Sequence, residues 1–147
     1  MSCTERNPGL RSTTLEALAK EALRQLGRPG STVSIVLTND VAVRGLNRDF
    51  REVDEPTDVL SFTFADPGEL ADPAAPVFLG EIYISLETAR AQARTARRTL
   101  GREVAHLTVH GILHLLGYDH HRPKEKERMW REEARVMRAL SGLIGRL

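Results

Sequence analysis

HGILHLLGYDHH, residues 110–121, holds four of the five histidines in the 147-residue chain, and the fifth, His106, stands four residues upstream. On a continuous helix His106, His110 and His114 project from one face, because residues four apart are neighbours on the helix surface. One ion cannot take all three: eight residues at a rise of 1.5 Å put His106 ~12 Å from His114, whereas ligand nitrogens lie about 2.0–2.1 Å from a zinc. A mononuclear site therefore uses one adjacent pair and draws its third ligand from elsewhere. Gly117, three residues beyond His114, can take the left-handed conformation that ends a helix and turns the chain back. That turn brings His120 toward the open side of the His110/His114 pair, with His121 as the alternative from the same turn. His106 is then a hydrogen-bonded helix histidine, and Asp119 either a turn residue or an acceptor for a ligand imidazole.

The pattern H-x-x-x-H-x-x-G-x-x-H has the histidine and glycine spacing of the metzincin zinc peptidases. Those enzymes carry a glutamate directly after the first histidine as general base, and here that residue is Gly111. The ligand set is kept while the proteolytic base is missing. Three neutral imidazoles leave one position of the metal open, which is the arrangement of a catalytic zinc, whereas structural zinc is usually closed by four protein ligands. One Zn2+ per chain is expected, at His110, His114 and His120, with His121 kept as a lesser alternative to the last.

Working outward, Thr99 is placed to cap the helix that carries the histidines, with Leu100, Val104, Leu107 and Leu115 on shared faces. Upstream, FLGEIYIS (78–85) reads as a strand, and Ser85 begins an alanine- and arginine-rich helix running to about Arg98. ADPGELADPAAP (65–76) reads as a loop. TDVLSFTF (57–64) alternates like a strand with one apolar face, and TVSIVLT (32–38) like a short buried one. Asn39 or Asp40 caps a short helix through Phe50, and Ser12 or Thr13 a helix that ends at Gly27. After Pro123 an amphipathic helix runs through Met129, Trp130, Val136 and Leu140. With 41% hydrophobic and 28% charged residues the chain has globular composition. The expectation is one α+β domain over residues 1–147, with residues 1–11 frayed. A single cysteine, Cys3, excludes an internal disulfide. With neither a spanning apolar run nor a secretory leader pattern, a cytoplasmic protein is expected.

Three stretches together carry a family resemblance. HGILHLLGYDH resembles the HGxLHLxGYDH signature of the YbeY endoribonuclease and rRNA maturation family. LNRDFREVDEPTDVLSF (46–62) is similar to that family's LNxxYRxxDxPTDVLSF segment, and LGEIYISLETA (79–89) to its LGDIxIS strand. The resemblance covers about residues 32–121, with departures at Glu52, Val53, Thr63 and Glu81. It implies a zincin-like α+β fold with a small mixed sheet packed with helices and the metal on a helix and the turn after it. The implied activity is a zinc-dependent, single-strand-specific endoribonuclease. Its implied roles are ribosomal RNA maturation, notably at the 16S 3′ end, and ribosome quality control. The family's functional arginine falls on Arg51, so the resemblance names Arg51 and His114 as catalytic. Chemistry supplies a reason for the arginine: a guanidinium meets two non-bridging oxygens of a phosphate with parallel hydrogen bonds. Without the resemblance, Arg51 reads as a surface cation paired with Asp49 or Asp54.

The implied partners are ribosomal RNA precursors and ribosomal particles, with ribosomal or GTPase proteins left unspecified, and neither membrane nor DNA. A net charge of +1 selects no partner by itself. Arg90, Arg94, Arg97 and Arg98 form a stripe suited to RNA phosphates, while the C-terminal helix mixes arginines with Glu125, Glu127, Glu132 and Glu133. Two other classes compete with the nuclease: a ribosome assembly factor with a structural zinc, and a metallopeptidase, which Gly111 disfavours.

Overall fold

The computed structural model describes residues 2–3, 10–51, 59–118 and 121–147, with residues 2, 3 and 51 described in their backbone only. In chain order the elements are β1 (Ser2–Cys3), α1 (Ser12–Gln25), β2 (Thr32–Thr38), α2 (Asp40–Arg51), β3 (Val59–Thr63), α3 (Pro67–Leu70), β4 (Phe78–Ser85), α4 (Leu86–Ala96), α5 (Leu100–Leu115), α6 (Pro123–Ala139) and α7 (Ser141–Ile144). The fold is α+β with a small mixed sheet, as expected.

The sheet runs β1-β2-β4-β3. β4 lies between two partners, parallel to β2 with Ile35 opposite Ile82 and antiparallel to β3 with Ser61 opposite Ile82. β1 pairs in parallel with Val36 and Leu37 at the edge, and residues 4–9 of the expected frayed start lie outside the described residues. The fully buried Ile82 and Ile84 alternate along β4 and face the helices, as a period-two pattern requires.

α5 is the central helix, packed on β3 and β4 and flanked by α4, α6 and α1. It is apolar on nearly every side, with eleven buried residues, because it is surrounded rather than laid on a surface. Apart from Leu100 and Arg102 at its start, its only positions not fully buried are His106, His110 and His114. The three histidines are thus the single open stripe of a core helix. Burying Leu107, Ile112, Leu113 and Leu115 contributes about 1.5–3 kcal/mol each, so the stripe is held on a rigid support.

Several local expectations change. α1 begins at Ser12 with Arg11 as its cap residue and no side-chain cap bond, so neither Ser12 nor Thr13 caps it. The 65–76 stretch contains one helical turn, α3, where Glu69 accepts from the Asp66 N–H at 2.9 Å. α4 stops at Ala96, because Arg97 takes a left-handed conformation (φ 55°) and the Arg98 N–H returns to the Ala93 carbonyl at 2.8 Å. The expected arginine stripe is therefore split: Arg90 and Arg94 stay on α4, and Arg98 turns toward α5.

Candidate metal centre

Thr99 starts α5 as expected, its hydroxyl accepting from the Arg102 N–H at 3.1 Å. Gly117 ends it. With φ at 93° it lets the Tyr118 N–H reach back to the Leu113 carbonyl at 3.0 Å, which reverses the chain just past His114. His120, expected to complete the metal site, and Asp119, expected as a turn residue or an acceptor for a ligand imidazole, lie outside the described residues, while His121 is exposed.

Within the helix His110 and His114 converge. Their Nε2 atoms stand 3.0 Å apart, with the rings at 76°. Two nitrogens at about 2.0–2.1 Å from one tetrahedral ion would be separated by ~3.3 Å. The observed spacing is within a few tenths of an ångström of that, so the pair fits a divalent metal. Among the described residues no group of three or more histidine, cysteine or carboxylate side chains forms a complete site.

What turns His110 is a glutamate from α6. His110 Nδ1 donates to Glu133 Oε1 at 2.5 Å, which leaves Nε2 as the lone-pair nitrogen facing His114. The second oxygen, Oε2, meets His106 Nε2 at 3.2 Å. His106 is therefore held by a carboxylate and is not turned into the His110/His114 pair, in keeping with a hydrogen-bonding role. Glu133 is only 8% exposed. Burial pushes its carboxyl up, but the hydrogen bonds from His106 and His110 outweigh that and bring it down to about 2. The same contact raises His106 above the ordinary histidine value, against its own burial.

Glu133 was grouped in the sequence with the mixed charges of the tail helix, and that placement is corrected: it points into the core. The signal was available, since Glu133 lies on the same face as the buried Met129, Val136 and Leu140, where an amphipathic helix carries apolar residues.

Gly111 is explained by packing. A Cβ there would come within 2.8 Å of Ile82 Cγ2, so α5 can lie this close to β4 only with glycine. The Ser61 hydroxyl of β3 donates to the Gly111 carbonyl at 3.3 Å, tying the sheet to the helix beside His110. A side chain at 111 would point at the sheet, so a glutamate could not stand there as base without moving the helix.

Arg51 is the last residue of α2, one residue beyond the expected end of that helix at Phe50. The adjacent Phe50 packs edge-on against Phe62 of β3, centroids 5.9 Å apart, which fixes the end of α2 to the strand that borders α5. Asp49 pairs with Arg48 at 3.2 Å, and Asp54 lies outside the described residues.

A sequence model of the family described as Endoribonuclease YbeY matches residues 3–141. An Endoribonuclease YbeY of Anaeromyxobacter sp. (strain Fw109-5) is 45% identical over 131 residues, 89% of this chain and 65% of that protein. That of Heliobacterium modesticaldum is 43% identical over 132 residues, 84% of this chain and 80% of its own. The chain thus spans just under two thirds of the Anaeromyxobacter relatives' length. Its fold is similar to the solution structure of TM1509 from Thermotoga maritima, with a TM-score of 0.65 and 28% identity over 96% of this chain and 88% of that one. The convergent histidine pair, its signature sequence and these relatives lead to one assignment: the chain belongs to the Endoribonuclease YbeY family.

Proposed function

We propose that this chain is a metal-dependent endoribonuclease that cuts single-stranded RNA in ribosomal RNA maturation, acting in the cytoplasm on ribosomal RNA precursors. One zinc would be held by His110, His114 and His120. The observation that carries this reading is the pairing of His110 and His114, nitrogens 3.0 Å apart, with His110 set by Glu133. The relatives' name supplies the substrate class.

The ion's contribution, when bound, is Lewis-acid stabilisation of charge developing on a phosphoryl oxygen. The chain's own residues do the rest. Glu133 keeps His110 in one tautomer and one orientation, so Nε2 is already presented to the ion before it binds. Arg51, at the end of α2, would grip two non-bridging oxygens of the scissile phosphate and strengthen that grip as charge builds. Glycine at 111 removes the carboxylate on which a peptidase of this spacing relies, so the peptidase reading is set aside. No helix among the described residues is long and apolar enough to cross a membrane.

The test is elemental analysis of purified protein combined with cleavage of single-stranded and fully paired RNA, with and without chelator. About one zinc per chain and chelator-sensitive cutting of the single strand alone are expected. A folded, zinc-loaded protein that cuts neither RNA would leave the assembly-factor reading in its place.

A further inference from the structure

On the His106 side of Glu133, helices α5 and α6 leave a cleft of about 460 Å³. His106 and Glu133 line it together with Arg98, Arg102 and Arg138, and so does the indole of Trp130, which is 59% exposed. Arg98 reaches the buried Glu103 only at 4.0 Å. Among the described residues Arg102 and Arg138 form no ion pair. The negative charge of Glu133 is already taken up by two imidazoles. Lys126 Nζ lies 4.8 Å over one face of the Trp130 ring, adding positive charge there, so a stacking partner would take the opposite face. The cleft adjoins the metal centre, since the His106 and His110 ring centroids are 6.3 Å apart.

We propose that this cleft binds a nucleotide of single-stranded RNA flanking the phosphate held at the His110/His114 pair, its base stacked on Trp130 and its phosphates met by Arg102 and Arg138. The inference rests on the endoribonuclease reading and deepens it. Guanidinium forks match phosphate oxygens two at a time. An aromatic plate beside them accepts the π-face of any base, and so gives affinity without sequence choice. An acidic peptide would satisfy the arginines but has no general use for the indole. A duplex keeps its bases stacked inside and cannot offer one to Trp130. The cleft thus supplies a physical origin for single-strand preference.

Trp130 is the only tryptophan of the chain, so its fluorescence reports this site alone. The experiment titrates the full chain with a cleavage-resistant 2′-O-methyl oligouridylate about ten nucleotides long, following tryptophan emission and the anisotropy of a labelled oligomer together. Saturable quenching that tracks anisotropy is expected. Arg102→Glu with Arg138→Glu should weaken binding at least ~10-fold and lower the salt slope by about two, roughly one per phosphate contact. Both arginines are exposed, and the doubly substituted protein should keep its melting temperature and zinc content. Binding seen by anisotropy without quenching, and unchanged by the charge reversals, would place the strand elsewhere and overturn the cleft while leaving the nuclease reading intact. Absence of binding by both signals would overturn the two together. Quenching by polyglutamate as strong as by RNA would make the cleft a site for acidic protein and overturn it as an RNA site.

Discussion

Glu133 occupies a position that the pattern of its helix assigns to an apolar side chain, and it keeps its charge there because two imidazole N–H groups face it. Glu133→Ala should weaken zinc binding by about 10–100-fold, the usual effect of removing a partner that orients a ligand histidine. Glu133→Gln, which still accepts from His110 Nδ1, should lose less. Competition against a chromophoric chelator measures both, and equal affinity in all three proteins would remove Glu133 from the site. Gly111→Ala carries the opposite kind of penalty, since the new methyl would press on Ile82 in a packed helix–sheet contact. A loss of about 1–3 kcal/mol in urea unfolding is expected, and a wild-type midpoint would show that the helix yields freely. The histidine pair and the Gly117 turn were legible in the sequence because both follow from spacing along one helix. For Glu133 only the inward face was legible, from its spacing with Met129, Val136 and Leu140; its pairing with His106 and His110 was not, because those partners lie on another helix and only packing brings them together.

At the level of elements, the junctions hold the site in place. The Asp40 carboxylate accepts from the hydroxyls of Ser85 and of Thr88, the latter at 2.5 Å, and Glu87 accepts from the Asp40 N–H at 2.9 Å. This ties the start of α2, and through it Arg51, to the β4–α4 corner. The Ser85 and Thr88 hydrogen bonds lower the Asp40 pKa against a smaller opposing effect of burial. A depressed carboxyl contributes stability that is fully present above its unfolded pKa and lost as pH falls through the lower folded value. Asp40→Asn should therefore reduce the melting temperature at neutral pH and narrow its gap to wild type below the ordinary aspartate range. A constant gap across that window would contradict the linkage. Arg97 holds a left-handed conformation between α4 and α5 that glycine adopts without steric conflict. Arg97→Gly should be neutral to stabilising by up to ~1 kcal/mol in urea unfolding. A clear destabilisation would show that the arginine side chain contributes more than its backbone costs. β2 and β4 were readable to the residue, since their runs are short, β-branched and bounded by turns. The α3 turn was hidden by the proline and glycine around it, although Asp66 followed three residues later by Glu69 is a helix-start pattern.

Across the whole molecule, a net charge near zero conceals an uneven distribution, with Arg98, Arg102 and Arg138 gathered between α5 and α6 on one side of the His110/His114 pair. Composition cannot show this, because it depends on which faces two helices turn toward each other. The overall α+β architecture and the helix that bears the converging histidines were legible from the sequence. The cleft beside it was not. Single-strand RNA affinity should fall steeply and linearly on a logarithmic salt scale, and a flat response would mean that phosphate contacts do not drive binding.

The most direct test of the central claim compares single-turnover cleavage of single-stranded RNA by the wild-type chain and by His114→Ala, purified and zinc-loaded in the same way. The wild type should cut the RNA and stop on chelation, while His114→Ala, left with too few donors, should remain folded and be at least ~100-fold slower. Cleavage at the wild-type rate in His114→Ala would show that the activity does not arise at this histidine pair.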